Sequence, residues 1–267
     1  MRGPGRSRPA AVLGALWKLN AAEELQYRAN FVASFASTVF YLFTALLTLD
    51  LFFSHATTLG GWDFWEVVVL LGVFNALSGL VEAILRPGIG DLAAQVRSGN
   101  LDLVLSRPVD AQVFVSFRHL DLWRFTDILL GLGVSTYALL HLGRFPGAGR
   151  ILVFLVTLVA AAFVVYAIWV ILMSLAFWFV SVENIATLFD AVFEGARYPV
   201  SAYPAALRFL FFYLLPIAWT TTIPASALTG RLSLATGIVA GLVGVGALVF
   251  SRLLWRAAIR RYTGASS

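Results

Sequence analysis

The chain has 267 residues, of which 60% are hydrophobic and only 12% charged, and its formal net charge is +5. Ordinary soluble domains carry about 25% charged residues, so a soluble fold is excluded, and apolar runs of about 20 residues indicate helices that cross a bilayer. The absence of cysteine excludes disulfides, thiol catalysis and cysteine-ligated metals. The basic residues lie mainly between apolar runs and at the chain ends, which indicates membrane topology rather than nucleic-acid binding.

The N-terminal segment, residues 1–30, is predicted to be cytoplasmic and to contain an amphipathic helix lying in the membrane interface. Val12, Leu16 and Trp17 fall on one helical face, whereas Lys18 and Glu24 lie on the remainder. Its basic start resembles a signal peptide. Because acidic residues follow without a small-residue cleavage site, we expect the segment to be retained.

An all-α membrane protein with six transmembrane helices is predicted. The transmembrane domain covers residues 31–256, and residues 257–267 form a cytoplasmic tail. The first four spans cover about 31–53, 64–85, 125–142 and 151–180, and the last covers about 232–254. The fourth is unusually long, so it is either strongly tilted or extends beyond the bilayer.

Orientation follows from the lysines and arginines, which concentrate in the N-terminal segment, in the interval 86–124 and at the C-terminus. The positive-inside rule therefore places both termini and this interval in the cytoplasm of a multi-pass cell-membrane protein. Arg144, Arg150 and Arg231 are exceptions on the outer side.

The last span contains several glycines, and small residues at four-residue spacing predict close contact with a neighbouring helix. These glycines are Gly237, Gly241, Gly244 and Gly246. Four arginines close the span and agree with a cytoplasmic end: Arg252, Arg256, Arg260 and Arg261.

The segment 181–230 allows two predictions. In one, residues 181–204 form a cytoplasmic loop and 207–223 form the fifth span. In the other, the fifth span begins near Asn184 and emerges around 198–204, and a re-entrant hairpin over 207–228 is broken at Pro216 and Pro224. Both predictions leave six crossings.

The longest non-apolar interval, residues 86–124, must lie outside the hydrocarbon. Residues 91–96 predict a short helix, 98–100 a turn, and 101–105 a second short apolar helix that ends at Arg107 and Pro108. The composition fits an ordinary positive-inside loop. It also fits a docking element for a soluble partner, because the apolar faces exceed what a solvated loop needs.

Charged residues inside spans are costly in lipid and are therefore candidates for a transport pathway. Asp190, Glu194 and Arg197 follow at i, i+4 and i+7, so on a helix they share a face and partly neutralise one another. A pathway lining and a structural cluster explain them equally well. Asn75 and Glu82 share a face of the second span, and hydrogen bonding to a neighbouring helix is favoured over a cavity lining. Interfacial ion pairs are expected near the third span among Arg118, Asp121, Arg124 and Asp127.

Motifs of catalysis are missing from the sequence. There is no G-x-x-x-x-G-K-[ST] phosphate loop and no G-x-S-x-G elbow, and the three histidines show no metal-ligand spacing. We therefore expect no catalytic, cofactor or metal site in this chain, and a partner must supply the energy.

Two stretches carry a family resemblance. The sequences VRSGNLD at 96–102 and LSRPV at 105–109 resemble the segment between the second and third spans of ABC-2 type permeases, particularly a subgroup long described only as a domain of unknown function. The sequence ARYPVSAYP at 196–204, followed by prolines 216 and 224, is similar to the proline-punctuated segment before the last span of that family. Span count and spacing agree over nearly the whole chain.

The resemblance implies that residues 91–110 supply a coupling helix that rests in a groove on an ATPase subunit. The residues implied to contact the ATPase are Asp91, Val96, Arg97, Asn100, Leu101, Asp102, Arg107 and Pro108. The resemblance also favours a fifth span lined by Asp190, Glu194 and Arg197, followed by an outward-facing re-entrant element. Three charges within that span depart from the commoner ABC-2 pattern.

These observations predict the permease subunit of an ABC-2 exporter for a hydrophobic or amphipathic substrate such as a lipid, drug or peptide. The resemblance implies a pair of ATPase subunits that bind ATP and Mg²⁺, and a second permease chain that is a paralogue rather than a second copy. The alternatives are an intramembrane lipid-modifying enzyme, which should show convergent acid, histidine or metal ligands, and an ion-coupled carrier, which should show internal repeats.

Overall fold

The computed structural model describes residues 9–24, 28–98, 101–107, 109–143, 145–178 and 182–261. These residues form helices joined by turns, with one isolated β-bridge between Leu59 and Trp62. The prediction of an all-α protein is confirmed for this part of the chain.

Twelve α-helices follow one another along the described residues. They are α1 Pro9–Glu24, α2 Arg28–Phe53, α3 Phe64–Leu80, α4 Arg86–Ser98, α5 Asp102–Leu105, α6 Ala111–Phe117, α7 Phe125–His141, α8 Ala148–Leu175, α9 Val182–Phe193, α10 Ala205–Phe209, α11 Thr222–Thr229 and α12 Leu234–Ile259. A π-helical turn, Val81–Leu85, joins α3 to α4 without a break, and a second one, Leu210–Leu214, extends α10. Short 3₁₀ turns lie at Glu194–Arg197, Val200–Ala202 and Ile217–Trp219.

Four described helical stretches are long and apolar enough to cross a membrane. They are Ala29–Phe53, Phe64–Gly88, Ala148–Leu175 and Leu234–Ile259, and they correspond to the first, second, fourth and last predicted spans. A fifth is added if the bent pair Ala205–Leu214 and Ile217–Thr229 is counted as one span. The third predicted span corresponds to α7, which is apolar but has only 17 residues. The chain is therefore a multi-pass membrane protein.

Helix α3 lies at the centre of the bundle. In the most apolar window of its span 78% of the residues are buried, against 17% for α2 and 22% for α12. It packs along α7 with the two backbones in contact: a methyl group added at Gly72 would lie 2.5 Å from the Gly131 carbonyl oxygen and 2.7 Å from the Ser135 nitrogen. Small residues here allow the close approach that drives helix association in lipid.

The glycines of α12 do not all face a helix. Gly244 packs against Ala160 of α8, with 2.9 Å between its added methyl position and the Ala160 oxygen, and Gly237 faces Val153 at 3.6 Å. No described atom lies within 4 Å of the methyl positions at Gly241 and Gly246. The predicted close helix contact is present, and the small residues Ala240 and Gly244, four positions apart, are both buried. Gly241 does not take part because it is rotated by about 60° from Gly244.

The fourth span begins and ends earlier than predicted. Helix α8 starts at Ala148 and ends at Leu175, where the Ala176 N–H bonds back to the Met173 oxygen, and residues 176–178 form turns. Residue 180, the predicted end, lies outside the described residues. With 28 residues the helix is about 42 Å long, so the expectation that it tilts or extends beyond the bilayer still applies.

Residues 182–193 are helical, as the second of the two predictions requires, but this helix has only 12 residues and is about 18 Å long, too short by itself to cross a bilayer. The predicted break at Pro216 is confirmed: the two helical pieces around it are bent by 77°, and Leu215 before the proline is extended. The predicted break at Pro224 is wrong. Pro224 is the third residue of α11, and a first-turn residue needs no N–H for an intrahelical hydrogen bond.

Candidate functional site

A polar cavity of about 330 Å³ lies between α2, α3 and α7, beside the π turn that follows α3. Its charged lining residues are Glu82, Arg86, Arg124, Asp127 and Glu194. Three of the predicted pathway residues, Asn75, Glu82 and Glu194, line this cavity. The tertiary structure thus brings charges from distant parts of the sequence to one place.

Arg86, the first residue of α4, forms ion pairs with two carboxylates on one side of the cavity. It forms an ion pair with Glu82 one turn earlier, and its Nη2 lies 2.5 Å from Oδ2 of Asp190 on α9. The fourth predicted pathway residue, Asp190, is therefore linked to the cavity through Arg86.

The predicted neutralisation among Asp190, Glu194 and Arg197 holds only in part. Arg197 lies 3.5 Å from Glu194, but the structure pairs Asp190 with Arg86. The physical reason is that α9 ends at Phe193 and the chain continues as a 3₁₀ turn, which has three residues per turn and shifts the later side chains to another face.

Arg124 occupies the opposite side of the cavity among three carboxylates. Its nitrogens lie 3.8 Å from Glu82, 3.7 Å from Asp121 and 3.6 Å from Asp127, so the expected ion pairs of both aspartates with Arg124 are present. Asp127 in turn accepts a hydrogen bond of 2.5 Å from Thr38 of α2. The polar contacts therefore connect α2, α3 and α7 around the cavity.

Asn75 of α3 donates a hydrogen bond of 2.7 Å to the backbone oxygen of Asp127 in α7. This is the neighbouring-helix bond that the sequence favoured, although Asn75 also lines the cavity. Sequence reasoning did not assign Thr38, Arg86 and Arg124 to the site. The i, i+4 spacing of Glu82 and Arg86 was the available signal for one of these contacts.

The predicted coupling segment, residues 91–110, has a buried side and an exposed side. Leu101 is fully buried and Val96 packs against the main apolar cluster, so both support the segment from inside. Asp102 and Arg107 are exposed, and Leu103 between them is 68% exposed. Asn100 and Pro108, and the side chains of Asp91 and Arg97, lie outside the described part of the chain.

Asp110 links the end of this segment to the last helix, α12, through an ion pair with Arg252. It caps α6 by accepting a hydrogen bond of 3.2 Å from the Val113 N–H, and it is paired with both terminal nitrogens of Arg252 in α12. Arg252 also donates to the Gln112 side-chain oxygen at 2.7 Å, and Gln112 donates to the Tyr166 hydroxyl of α8 at 3.1 Å. The segment is thus attached to two membrane helices.

The hydrogen bonds from Arg252 hold the pKa of the Asp110 carboxyl below its usual range. A carboxyl whose pKa is lower in the folded state stabilises that state above its unfolded pKa, and the contribution disappears as the pH falls through the folded pKa. We expect Asp110→Asn to lower stability near neutral pH by roughly 1 kcal/mol or less, since the pair is partly exposed. The difference from the unmodified chain should shrink below about pH 4. Thermal unfolding of both proteins across pH checks this, and a pH-independent difference contradicts it.

Helix α1 forms hydrogen bonds with the last part of the interval 86–124, at residues 117–122. The Trp17 indole donates a hydrogen bond of 2.6 Å to the Phe117 oxygen, and Asn20 donates one of 3.1 Å to the backbone oxygen of residue 118. Glu24 accepts one of 2.6 Å from the backbone N–H of Leu122, and burial raises the pKa of its carboxyl. The three side chains follow at i, i+3 and i+7 and therefore share one face of the helix, so the prediction that Trp17 and Glu24 lie on different faces is wrong.

A second polar contact, which sequence reasoning missed, lies at the other end of α3. The Arg231 guanidinium donates to both oxygens of Glu66, at 2.7 and 2.5 Å, and lies 5.3 Å from the centre of the Trp62 ring. Arg231 was an exception to the positive-inside rule, and this pairing neutralises it. Among the described residues, no three histidine, aspartate or glutamate side chains are grouped so as to hold a metal ion.

The long apolar helices, exposed on their outer faces, and the charged cavity lined by α2, α3 and α7 define a polytopic α-helical membrane protein. A family model described as ABC-2 family transporter protein matches residues 39–266. The chain therefore belongs to the ABC-2 transporter family and is a membrane permease. Searches of curated proteins and of solved structures returned no match.

Proposed function

We propose that this chain is the permease subunit of an ATP-driven ABC-2 exporter for a hydrophobic or amphipathic substrate, driven by a separate pair of ATPase subunits. One observation carries the proposal. The central helix α3 continues through the π turn into α4, so that one helical stretch both lines the cavity and enters the coupling segment. Movement of α4 acts directly on Arg86 and its partners, and π turns within helices are frequent at functional sites.

The proposed docking surface for the ATPase is the exposed side of residues 91–110 of this chain, centred on Asp102, Leu103 and Arg107. When the ATPase moves this surface, the buried side of the segment and the Asp110–Arg252 contact transmit the movement to α8 and α12. Asp91, Arg97, Asn100 and Pro108 belong to the same proposed segment. ATP and Mg²⁺ belong to the ATPase, and we assign no cofactor, metal or catalytic residue to this chain.

The proposed topology has six crossings in the cell membrane with both termini in the cytoplasm. Residues 1–30 lie at the cytoplasmic interface, 31–256 form the transmembrane domain and 257–267 are a cytoplasmic tail. Helix α9 and the 3₁₀ turn after it supply the fifth crossing, and the pieces bent around Pro216 supply an outward-facing re-entrant element. A second permease chain, a paralogue rather than a second copy, completes the pathway.

To test the proposal, the tagged chain is purified from the membranes of its native cells together with any ATPase that copurifies, and ATP hydrolysis is measured. Reversing the charges at Asp102 and Arg107 together, as Asp102→Lys with Arg107→Glu, should reduce permease-dependent ATP hydrolysis by about tenfold, because complementary charges at an interface become repulsive. Combined substitution of Arg97 and Asp102 is expected to cause the same loss.

The matched control is Arg261→Glu, which reverses an exposed charge outside residues 91–110, just after α12. It should leave ATP hydrolysis unchanged. If the reversed pair retained both assembly and ATP hydrolysis, the docking assignment would fail. If no ATPase copurified with the unmodified chain, the exporter proposal would fail, and the enzyme and ion-coupled carrier alternatives would return.

A further inference from the structure

An apolar groove of about 560 Å³ is lined by α2, α3 and α7. Leu47 of α2 and Leu129 of α7 line it and remain exposed, whereas Val68 of α3 lines it and is buried. The groove is therefore open to the outer surface of the bundle, which lipid chains surround in a bilayer. Its volume lies within the range of about 300–1,000 Å³ that is typical of pockets for drug-sized ligands.

The groove is separate from the polar cavity, since the two share no described lining residue. On α2, Thr38 and Tyr41 line the cavity, whereas Leu47 and Asp50 line the groove. Each of the latter follows one of the former by nine residues, which turns an α-helix to its opposite side. The groove is thus a second candidate site with its own chemistry.

One carboxylate, that of Asp50, interrupts the apolar wall of the groove. The side chain is exposed, and no described residue forms an ion pair or a side-chain hydrogen bond with it. None of the described lining residues is a lysine, an arginine or a histidine. A carboxylate within a membrane span is costly unless it has a counter-charge, so the group that fits beside Asp50 is a cation.

Asp50 lies at the shallow end of the groove. It precedes the end of α2 at Phe53 by three residues, or about 4.5 Å along the axis. Phe43, also in the lining, lies seven residues or about 10.5 Å deeper. In the proposed topology the loop after α2 faces the outside, so the groove extends from the outer head-group boundary into the hydrocarbon.

Aromatic rings line the groove at the same end. Trp65 is the second residue of α3 and Tyr137 lies four residues before the end of α7, and their ring centres are 5.9 Å apart in an edge-to-face arrangement. His141, outside the described lining, stacks on Trp65 with ring centres 4.3 Å apart. Aromatic rings attract cations within about 6 Å of their faces, and quaternary ammonium groups are commonly bound in this way.

We propose that this groove is a binding site for a lipophilic cation that enters from the membrane. The positive charge lies beside Asp50 and the rings of Trp65 and Tyr137, and the apolar body lies along Leu47 and Leu129. The proposal goes beyond the proposed exporter function, because it adds a ligand site and requires neither ATP nor a direction of transport.

The test uses the full-length chain purified in maltoside micelles with the partner chains that copurify, without ATP and at about pH 8, where histidine is neutral. The probe is dodecyltrimethylammonium with a photoreactive diazirine in its chain. Its unlabelled form and a neutral isostere, in which carbon replaces the nitrogen, serve as competitors. We expect crosslinks in α2 and α7, and the cation should compete at least about tenfold better than the isostere, because only the cation is attracted by Asp50. Equal competition by the two overturns the proposal.

Asp50→Asn removes the charge and retains the shape of the side chain. It should weaken competition by the cation about tenfold and leave that of the isostere unchanged. Asp50→Glu is the matched control, since it keeps the charge and should keep the preference for the cation. No described side chain bonds to Asp50, so neither change removes a contact within the protein. An unchanged preference in Asp50→Asn contradicts the role of this carboxylate.

A second pair of variants tests the position of the ligand. Gly133 lines the groove and Gly246 is an exposed residue of α12 outside it, and no described atom lies within 4 Å of an added methyl at either position. Gly133→Phe should reduce crosslinking at least about tenfold because the ring fills the groove, whereas Gly246→Phe should not. Both changes replace a helical glycine, so neither is expected to lower helix stability.

Equal crosslinking of Gly133→Phe and Gly246→Phe overturns the assignment of the groove. Absence of crosslinks from α2 and α7 of the unmodified chain also overturns it, because another chain or a resident lipid then covers the groove. Either failure leaves the exporter proposal standing, since its test depends on residues 91–110 and on ATP hydrolysis.

Discussion

Replacing Gly72 with alanine is expected to destabilise the protein by roughly 1–3 kcal/mol, because overpacking at a rigid contact forces the surrounding structure to move. The added methyl would meet the Gly131 oxygen at 2.5 Å and the Ser135 nitrogen at 2.7 Å. Both are backbone atoms of α7, so the contact is relieved only by separating α3 from α7. The measurement is the yield of monodisperse protein after detergent extraction, together with its unfolding temperature.

Gly133→Ala is the control, since it makes the same chemical change in α7 at a position where no described atom lies within 4 Å of the added methyl. Alanine is favoured over glycine within a helix by up to about 1 kcal/mol, so this variant should be as stable as the unmodified chain or more so. Equal stability of the two variants would show that α3 and α7 are not in backbone contact.

Replacing Arg231 with methionine is the second change with a large expected effect. Glu66 has a side chain only 7% exposed and would lose the partner that donates to both of its oxygens. Breaking a buried ion pair costs about 3–5 kcal/mol, and we expect roughly 2–4 kcal/mol because Arg231 is itself partly exposed. Thermal unfolding in detergent is the measurement.

Glu66→Gln provides the control background. Glutamine retains an oxygen that accepts the Asp63 N–H, so the cap of α3 survives while the charge is removed. Arg231→Met should therefore have little effect in a chain that already carries Glu66→Gln, and the double-mutant cycle isolates the pair. Additive losses would mean that Arg231 stabilises the protein through other contacts, such as its approach to Trp62.

The polar contacts lie near the two ends of α3, and an apolar stretch lies between them. Glu66 and Arg231 close one end, and Glu82 with Arg86 and Arg124 surround the cavity at the other. Between them α3 is almost entirely buried against apolar side chains. This distribution concentrates the charged contacts of α3 near its two ends.

The sequence by itself determined the class of protein and most of the span positions. Apolar runs long enough to cross lipid are a property of composition and length, and the described helices α2, α3, α8 and α12 follow them. The break at Pro216 was likewise predictable, since a proline lacks the N–H that continues a helix. Pro224 does not follow this rule, because it lies in the first turn of α11, where a proline does not interrupt the helix. Whether a proline breaks a helix therefore depends on where that helix begins.

Only the tertiary structure decided which charges meet. Helical spacing placed Asp190 on one face with Glu194 and Arg197, but the chain changes to a 3₁₀ turn after Phe193 and Asp190 pairs with Arg86, 104 residues away in sequence. The contact of Arg124 with Glu82 and the pairs Asp110–Arg252 and Glu66–Arg231 likewise join residues that are far apart in the sequence. Local spacing reports neighbours on one helix, whereas a charged cavity is formed between helices, and their relative placement depends on close contacts such as that of Gly72 with Gly131.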